Sequence, residues 1–250
     1  MNSKRYFIEI SYNGTSYHGW QTQPNALTVQ ECLDKALSIY FRQEVVTLGC
    51  GRTDAGVHAT QFYAHFNSII GVDENSTKAV TGINALLPYT IAVKRVFSVA
   101  NEAHARFDAT ARAYQYHIHF EKDPFKIDRS WLYKGELNYV EMNKAAAVLL
   151  NFIDFSCFSK SNTQTFTNNC KITSAYFEVE KDGSLIFNIT ADRFLRNMVR
   201  AIIGTLVLVG KGDITASDVS KIIESKNRSN AGQSVPACGL YLMKVEYPYV

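Results

Sequence analysis

Hydrophobic and polar residues follow two different periods along this chain. Segments that alternate or are rich in β-branched and aromatic residues are typical of strands, and apolar residues spaced three or four apart are typical of helices. In the first hundred residues these patterns predict strands over 6–12, 45–50, 59–66 and 91–99, and helices over 29–40 and 76–86. Thr28 to Glu31 has the form of a capping box, which predicts where the first helix begins. The predicted order is β-α-β-β-α-β.

The remainder of the chain repeats this pattern. Strands are predicted over 113–120, 171–179, 185–190 and 240–245, and helices over 140–150 and 194–209. A further short helix is predicted after Thr215, which caps it in a capping box with Asp218. We therefore predict an α+β fold of two ferredoxin-like βαββαβ units, which form a mostly antiparallel sheet flanked by helices with a central cleft. The predicted domains are 1–103 and 104–250.

Composition excludes few functions. The 26 Lys and Arg residues against 23 Asp and Glu leave a net charge of +3, which does not by itself indicate a nucleic-acid ligand. Basic residues are in local excess over 193–228, where a solvated helix face and an RNA-binding surface are both open interpretations. Five scattered cysteines without a C-x-x-C pair, and no signal-peptide or membrane-length apolar run, predict a cytoplasmic protein without membrane association.

The strongest catalytic pattern is the octapeptide 51–58, Gly-Arg-Thr-Asp-Ala-Gly-Val-His. Asp54 lies between two glycines, which permit backbone turns closed to other residues, and Arg52 and His58 flank it. A nearby guanidinium favours an ionised carboxylate, and such an anion can attack or stabilise an electron-poor carbon. A surface turn in which Asp54 caps the next element is the alternative interpretation.

A predicted strand places Arg112, Tyr114 and Tyr116 on one face. A guanidinium and two aromatic rings can form a platform on which a nucleobase stacks, although tyrosines are also common where a strand covers a core. His117 and His119 share the other face, but no third ligand lies at a spacing typical of a metal site, so no metal is predicted.

Three arginines accompany the helix predicted over 194–209. Arg193, Arg196 and Arg200 are expected to line its edge at spacings of three and four. Guanidinium groups in such positions can pair with a carboxylate or a phosphate, but arginines beside a core need no ligand. Both interpretations stay open from the residues alone.

Several segments, in the family's order and over nearly the whole length, resemble the tRNA pseudouridine synthase A family (TruA). The matching segments are 12–17, 19–21, 28–30, 51–58, 106–107, 111–112, 114–116, 194–200 with Gly204, and 236–240. The resemblance implies an isomerase that converts uridine to pseudouridine in the anticodon stem-loop of tRNA, at tRNA positions 38, 39 and 40.

The resemblance also implies roles for individual residues. Asp54 is the catalytic aspartate, Arg52 enters the RNA stem in place of the flipped base, Tyr114 stacks on the flipped uracil, and Arg200 pairs with Asp54. Leu240 helps to form the wall of the pocket. The aspartate loop is therefore expected in the N-terminal domain, and the base-stacking and tRNA-binding residues in the C-terminal domain.

Two substrate-binding expectations complete this assignment. Arg112 is predicted to bind substrate together with Tyr114, and the loop 159–165 lies where the family has an RNA-contacting loop. The family further implies a homodimer in which one tRNA contacts both subunits, with no metal and no organic cofactor.

The chemistry agrees with a single carboxylate. Isomerisation breaks the bond from C1′ to N1 and joins C1′ to C5, without electron transfer and without an activated water, so the second carboxylate of a glycosidase is not needed. Asp54 attacking C1′ and Asp54 taking a ribose proton to give a glycal are both open. A noncatalytic tRNA-binding protein or RNA-folding chaperone is the alternative function. A phosphotransferase is disfavoured, because the loop lacks the G-x-x-x-x-G-K-[ST] pattern and Asp54 would repel phosphate.

Overall fold

A computed structural model of the protein describes residues 3–73, 77–160 and 166–250. The chain divides into two compact units. Unit 1 contains the described residues up to Thr110 together with Tyr241–Val250, and unit 2 contains Ala111–Leu240. The C-terminal segment thus belongs to the first unit, whereas the sequence pattern predicts a single boundary after residue 103.

In the part of unit 1 that the structure describes, there are strands of a mixed sheet and two α-helices. In chain order its elements are β1 (Lys4–Tyr12), α1 (Val29–Phe41), β2 (Leu48–Gly49), β3 (His58–Ser68), α2 (Lys78–Asn84) and β4 (Ile91–Val99). Strand β1 lies between β4 and β3 and is antiparallel to both, and β2 pairs antiparallel with β3. The predicted strand over 45–50 is only two residues long, because both Thr47 donors bond to the Asp34 carboxylate of α1 instead of to a neighbouring strand.

Both faces of β1 are buried. Ile8 and Ile10 are fully buried, as expected for the face that alternates with polar positions. Phe7 points the opposite way and is buried as well, because the rings of Tyr247 and Tyr249 pack against it at centroid distances of 5.3 and 5.9 Å. The C-terminal segment therefore covers a sheet face that the sequence pattern alone leaves open.

Among its described residues, unit 2 contains further strands and three α-helices. Its elements are β5 (Ala111–His119), β6 (Trp131–Leu132), α3 (Tyr139–Val148), β7 (Ile172–Val179), β8 (Leu185–Ala191), α4 (Met198–Gly210) and α5 (Ala216–Glu224). Strand β8 lies between β5 and β7 and is antiparallel to both, and the short strand β6, which the sequence pattern does not predict, runs parallel to β5. The last strand, β9 (Leu240–Glu246), belongs to unit 1 from Tyr241 onward. Its residues Tyr241 and Leu242 pair parallel with β3 of the same unit.

Helix α4 begins later than predicted. Asn197 has a left-handed backbone with φ of 67°, which L-residues do not adopt inside a helix, so the helix starts at Met198. The prediction that Arg193 and Arg196 line this helix is therefore wrong, and only Arg200 belongs to it. The capping box predicted for α5 is confirmed, since the side chain of Thr215 and that of Asp218 each bond to the other residue's backbone N–H.

Candidate active site

Asp54 lies in a tight turn between β2 and β3. The Val57 N–H donates to the Asp54 carbonyl over 3.1 Å and closes the turn over residues 54–57. Gly56 occupies its third position with φ of +79°, a conformation that favours glycine. The second glycine of the octapeptide is therefore required by the turn, which presents Asp54 half-buried. Arg52, before the turn, is exposed.

A second segment, residues 12–20, supports this turn through hydrogen bonds on both sides of Asp54. The Trp20 N–H donates to the Thr53 carbonyl, and the Gly56 N–H donates to the Tyr17 carbonyl, each over 3.2 Å. The buried hydroxyls of Tyr12 and Thr53 bond to each other at 2.9 Å. Because these bonds reach the residue before Asp54 and the second residue after it, the carboxylate is mounted on a backbone with little freedom.

Two glycines allow segment 12–20 to approach the turn so closely. A β-carbon at Gly14 would lie 2.0 Å from the Val57 carbonyl oxygen. One at Gly19, whose φ is +92°, would lie 2.4 Å from the Thr53 carbonyl oxygen. Real β-carbons do not approach backbone atoms so closely, so both positions need glycine.

His58 is the last residue of the octapeptide and the first of β3. Its Nδ1 accepts the Gly14 N–H over 3.0 Å, and its ring stacks on Tyr241 at 4.5 Å with an interplanar angle of 24°. The side chain is 2% exposed. The imidazole therefore bonds to segment 12–20 from a buried position, a role that the sequence pattern does not reveal.

In unit 2, Tyr114 and Arg112 lie on β5 beside β8. Tyr114 is half-buried, and the edge of the Phe194 ring meets it at 5.1 Å and 87°. The Arg112 guanidinium donates to the Asp192 carbonyl over 2.8 Å. Both side chains therefore have defined supports near the end of β8.

Tyr116 does not extend this pair into a three-residue platform. Its side chain is fully buried and its hydroxyl donates to the Pro236 carbonyl over 2.8 Å. Burial raises the pKa of Tyr116, so the hydroxyl stays protonated and remains a donor. The interpretation of Tyr116 as a stacking residue is wrong, because the strand is covered at this position by the chain around Pro236.

Arg200 lies in the first turns of α4 and is held by residues 232–236. Its Nε donates to the Val235 carbonyl over 2.7 Å, and the Val235 N–H donates to the Arg200 carbonyl over 3.3 Å. A β-carbon at Gly204 would lie 1.7 Å from the Gln233 carbonyl oxygen, so this segment crosses the helix in direct backbone contact. The orientation of the Arg200 side chain is thus set by a segment far along the chain.

Segment 232–236 has its own anchors. The Ser234 hydroxyl accepts from the Asn197 amide over 2.6 Å and from the Arg228 guanidinium over 3.1 Å. The Gly232 N–H donates to the Thr205 hydroxyl of α4 over 2.9 Å. These bonds fix the carbonyl to which Arg200 donates.

Several proteins similar to this chain carry the name tRNA pseudouridine synthase A. A family model described as tRNA pseudouridine synthase matches residues 145–248. The tRNA pseudouridine synthase A of Bacteroides fragilis is 48% identical over 248 residues, covering 99% of this chain and 98% of the relative. The chain belongs to the tRNA pseudouridine synthase A family. The family resemblance found in the sequence is thereby confirmed, and the protein is an isomerase.

Further relatives extend the match. The tRNA pseudouridine synthase A of Bacteroides thetaiotaomicron is 49% identical over 247 residues, which are 98% of this chain and 91% of the relative. That of Ruminiclostridium cellulolyticum is 40% identical over 244 residues, which are 96% of this chain and 98% of the relative. The similarity therefore covers both units.

In this member of the family the predicted site residues divide between the units. Arg52 and Asp54 lie in unit 1, and Arg112, Tyr114, Arg200 and Leu240 lie in unit 2, with Leu240 buried as the first residue of β9. Of the predicted RNA-contacting loop, residues 161–165 lie outside the described residues, whereas Ser159 is buried and the Lys160 N–H donates to the Arg196 carbonyl over 3.3 Å.

Among the described residues, no group of three or more His, Cys, Asp or Glu side chains is placed to hold a metal ion. His119 is buried beside the Ser130 hydroxyl at 2.9 Å, and this burial lowers the pKa of His119. None of the helices within residues 3–73, 77–160 and 166–250 has both the length and the apolar character to cross a bilayer.

The residues that hold Arg200 are not indicated by the pattern of the sequence. Val235, Ser234 and Arg228 are distant from it in the chain, and their residue types are ordinary. One signal was present: Gly204 interrupts a continuous apolar run inside a helix, where glycine costs about 1 kcal/mol relative to alanine. Such a glycine indicates close backbone approach, which Gln233 supplies here.

Proposed function

We propose that this protein isomerises uridine to pseudouridine in the anticodon stem-loop of tRNA, with Asp54 as the catalytic carboxylate. The observation that carries the proposal is the mounting of Asp54. A half-buried carboxylate stands on a turn that is hydrogen-bonded on both sides to segment 12–20. Relatives named for tRNA pseudouridine synthesis match nearly the whole chain, which supports tRNA as the substrate.

The reaction needs a carboxylate at C1′ and a base removed from its stack. The bond from C1′ to N1 breaks, the uracil rotates, and C1′ joins C5; N1 gains a proton and C5 loses one, so the result is an isomer. Asp54 either attacks C1′ or removes a ribose proton to give a glycal. A rigid mounting serves both routes, because displacements of about 1 Å at the reacting groups can cost about 100-fold in rate.

Base flipping costs a few kcal/mol, and other side chains are proposed to offset it. Arg52 is exposed two residues before Asp54 and is proposed to fill the space that the base leaves. Tyr114 is proposed to stack on the flipped uracil; its edge contact with Phe194 supports this role by restraining the ring. Arg112 and Leu240 are proposed to complete the substrate-binding surface.

Arg200 is proposed to pair with the carboxylate of Asp54. Its support in the structure is the bond from Nε to the Val235 carbonyl, which restrains the guanidinium at one end. A restrained guanidinium loses less rotational freedom on pairing with a carboxylate than a mobile one does. We further propose that the protein acts in the cytoplasm as a homodimer in which one tRNA contacts both subunits.

The architecture proposed for this function is a duplication of the ferredoxin-like plan. In unit 1, α1 connects β1 to β2, and β3 pairs with both strands. In unit 2, α3 follows β5 and precedes β7 along the chain, and β8 pairs with both of these strands. This shared split β-α-β arrangement supports two related domains, proposed as 1–103 with the aspartate loop and 104–250 with the base-stacking residues.

Tritium release from tRNA labelled with [5-³H]uridine tests the reaction directly, because joining C1′ to C5 displaces the hydrogen at C5. We expect the wild-type protein to release tritium from transcripts that carry their labelled uridines at tRNA positions 38, 39 or 40. Asp54→Asn should lower the release rate by about 1,000-fold or more while tRNA binding persists. Asp213→Asn, at an exposed residue paired with Lys211, is the matched control and should react normally.

Two results would contradict this proposal in different ways. A wild-type protein that binds tRNA and releases no tritium would support the noncatalytic tRNA-binding alternative. A wild-type protein that reacts, with Asp54→Asn equally active, would leave the reaction in place and remove Asp54 as its carboxylate.

A further inference from the structure

We infer that His58 is a positioning residue for Asp54, which acts by anchoring the backbone of Gly14. The inference rests on the proposed function, because it assigns His58 a part in presenting the proposed catalytic carboxylate. The imidazole ends the same octapeptide that carries Asp54 and Arg52.

The hydrogen bond at Nδ1 determines which nitrogen of the His58 imidazole carries the proton. A backbone N–H can only donate, so the Nδ1 that accepts from Gly14 over 3.0 Å carries no proton. The neutral ring therefore has its hydrogen on Nε2. Since the side chain is 2% exposed and its face is stacked on Tyr241, His58 is not placed to exchange protons with an RNA substrate.

A short path connects this bond to Asp54. Gly14 packs against the Val57 carbonyl at a distance that excludes any β-carbon, so movement of Gly14 moves the backbone beside the turn. Later in segment 12–20, the Tyr17 carbonyl accepts from the Gly56 N–H, and the Trp20 N–H donates to the Thr53 carbonyl. His58 thus fixes the start of the segment whose later residues hold the backbone on both sides of Asp54.

The anchor itself is rigid. His58 begins β3 and pairs with Tyr241 of the parallel strand β9, and the same tyrosine covers its ring. An acceptor on a regular strand determines the position of Gly14 more closely than water or a mobile side chain would. Removing the acceptor should therefore displace the turn and slow the reaction without removing any group that contacts tRNA.

Three substitutions separate the hydrogen bond from the bulk of the ring. In asparagine, Oδ1 is as many bonds from Cβ as Nδ1 is in histidine, so His58→Asn keeps an acceptor near Gly14 and loses the ring. His58→Ala loses both, and His58→Gln places its acceptor one bond further out. Ala and Asn share the loss of stacking on Tyr241, which makes them matched variants.

Single-turnover isomerisation, tRNA affinity and thermal unfolding should be measured for each variant. We expect His58→Ala to lower the single-turnover rate by about 10- to 100-fold with unchanged tRNA affinity, and His58→Asn to recover most of that loss. His58→Gln should resemble His58→Ala. A rate for His58→Asn as low as that of His58→Ala, or a wild-type rate for His58→Ala, would overturn the inference.

Imidazole nitrogen NMR of the wild-type protein gives a test that does not depend on a folded variant. We expect a neutral His58 ring with the proton on Nε2, and a proton on Nδ1 would overturn the inference. The two proposals fail separately: inactivity of the wild-type protein contradicts the proposed function, whereas an active wild type with an unrescued His58→Asn contradicts only the positioning role.

Discussion

The Asp54 turn of unit 1 and the Arg200 region of unit 2 hold their charged side chains in contrasting ways. Asp54 is part of a loop, and the loop is fixed by backbone hydrogen bonds to residues 12–20. Arg200 lies on a regular helix, and what needs fixing is its long side chain, which donates to the Val235 carbonyl. A short side chain takes its position from the backbone that carries it, whereas a long one needs a partner at its far end.

Glycine serves both regions for the same physical reason. Gly19 lets segment 12–20 contact the Thr53 carbonyl, and Gly204 lets segment 232–236 contact α4. In each case a missing β-carbon allows two backbones to meet, which a side chain would prevent. The two contacts also span similar distances along the chain, with 33 residues between Trp20 and Thr53 and 35 between Arg200 and Val235.

The largest effect is expected from Gly19→Ala, which disrupts the contact between segment 12–20 and the Asp54 turn. The new methyl would meet the Thr53 carbonyl oxygen at 2.4 Å in a backbone conformation with φ of +92°. We expect a loss of about 3 kcal/mol or more in the free energy of unfolding and loss of tritium release. Denaturant unfolding and the release assay measure both.

Gly51→Ala is the matched control for stability. A β-carbon at Gly51 meets nothing within 4 Å, so its free energy of unfolding should change by no more than about 0.5 kcal/mol. Equal stability of the Gly19 and Gly51 variants would show that the contact between segment 12–20 and the turn is not needed for folding.

An intermediate effect is expected from Ser234→Ala, which removes an anchor of segment 232–236, the segment that holds Arg200. The Asn197 amide and the Arg228 guanidinium would lose their shared acceptor, at a cost of about 1 to 2 kcal/mol in unfolding free energy. Segment 232–236 should loosen and the isomerisation rate should fall. Unfolding and single-turnover measurements on the same preparation check both expectations.

A double-mutant cycle with Arg200→Ala shows whether that fall in rate passes through Arg200. If segment 232–236 acts by orienting the guanidinium, Ser234→Ala should slow the wild type and have little further effect on Arg200→Ala. Additive losses of rate would mean that segment 232–236 serves the reaction by another route.

The smallest effect is expected from Asp34→Asn, at a second carboxylate of unit 1 that supports structure and not the proposed reaction. Asp34 accepts from the backbone and the hydroxyl of Thr47 at 3.0 and 2.6 Å. Burial raises the pKa of Asp34 to about 6, although these hydrogen bonds oppose the shift. Its charged form is therefore less favourable in the folded protein than in the unfolded chain.

The sign of the pH dependence follows from this raised pKa. Between the unfolded value of about 3.8 and the folded value of about 6, the folded state binds more protons, so the Asp34 contribution to stability falls as pH rises through that window. Asp34→Asn should raise the melting temperature by about 2 to 4 °C at pH 7 and by less at pH 4, with normal tritium release. A melting temperature that falls equally at both pH values would contradict this account.

Helices and strands were predicted correctly where residues close in sequence decide them, and incorrectly where distant residues do. The strand over 91–99 and the capping box of α5 were predicted with the observed bounds or partners, because both depend on neighbouring residues. The prediction of α4 failed at its start, where Asn197 adopts a left-handed backbone and bonds to Ser234. Of the two interpretations of Tyr116, the structure supports a core tyrosine and not a stacking residue, because the chain around residue 236 covers it.

By itself the sequence determined the family, the α+β class, and the octapeptide with the residues proposed to act on uridine, because these depend on residue identity and local period. Only the tertiary structure decided that His58 bonds to Gly14, that Val235 holds Arg200, and that the C-terminal tyrosines cover Phe7. The physical reason is that periodicity records which face of an element is buried, whereas a contact partner is chosen by how distant segments pack.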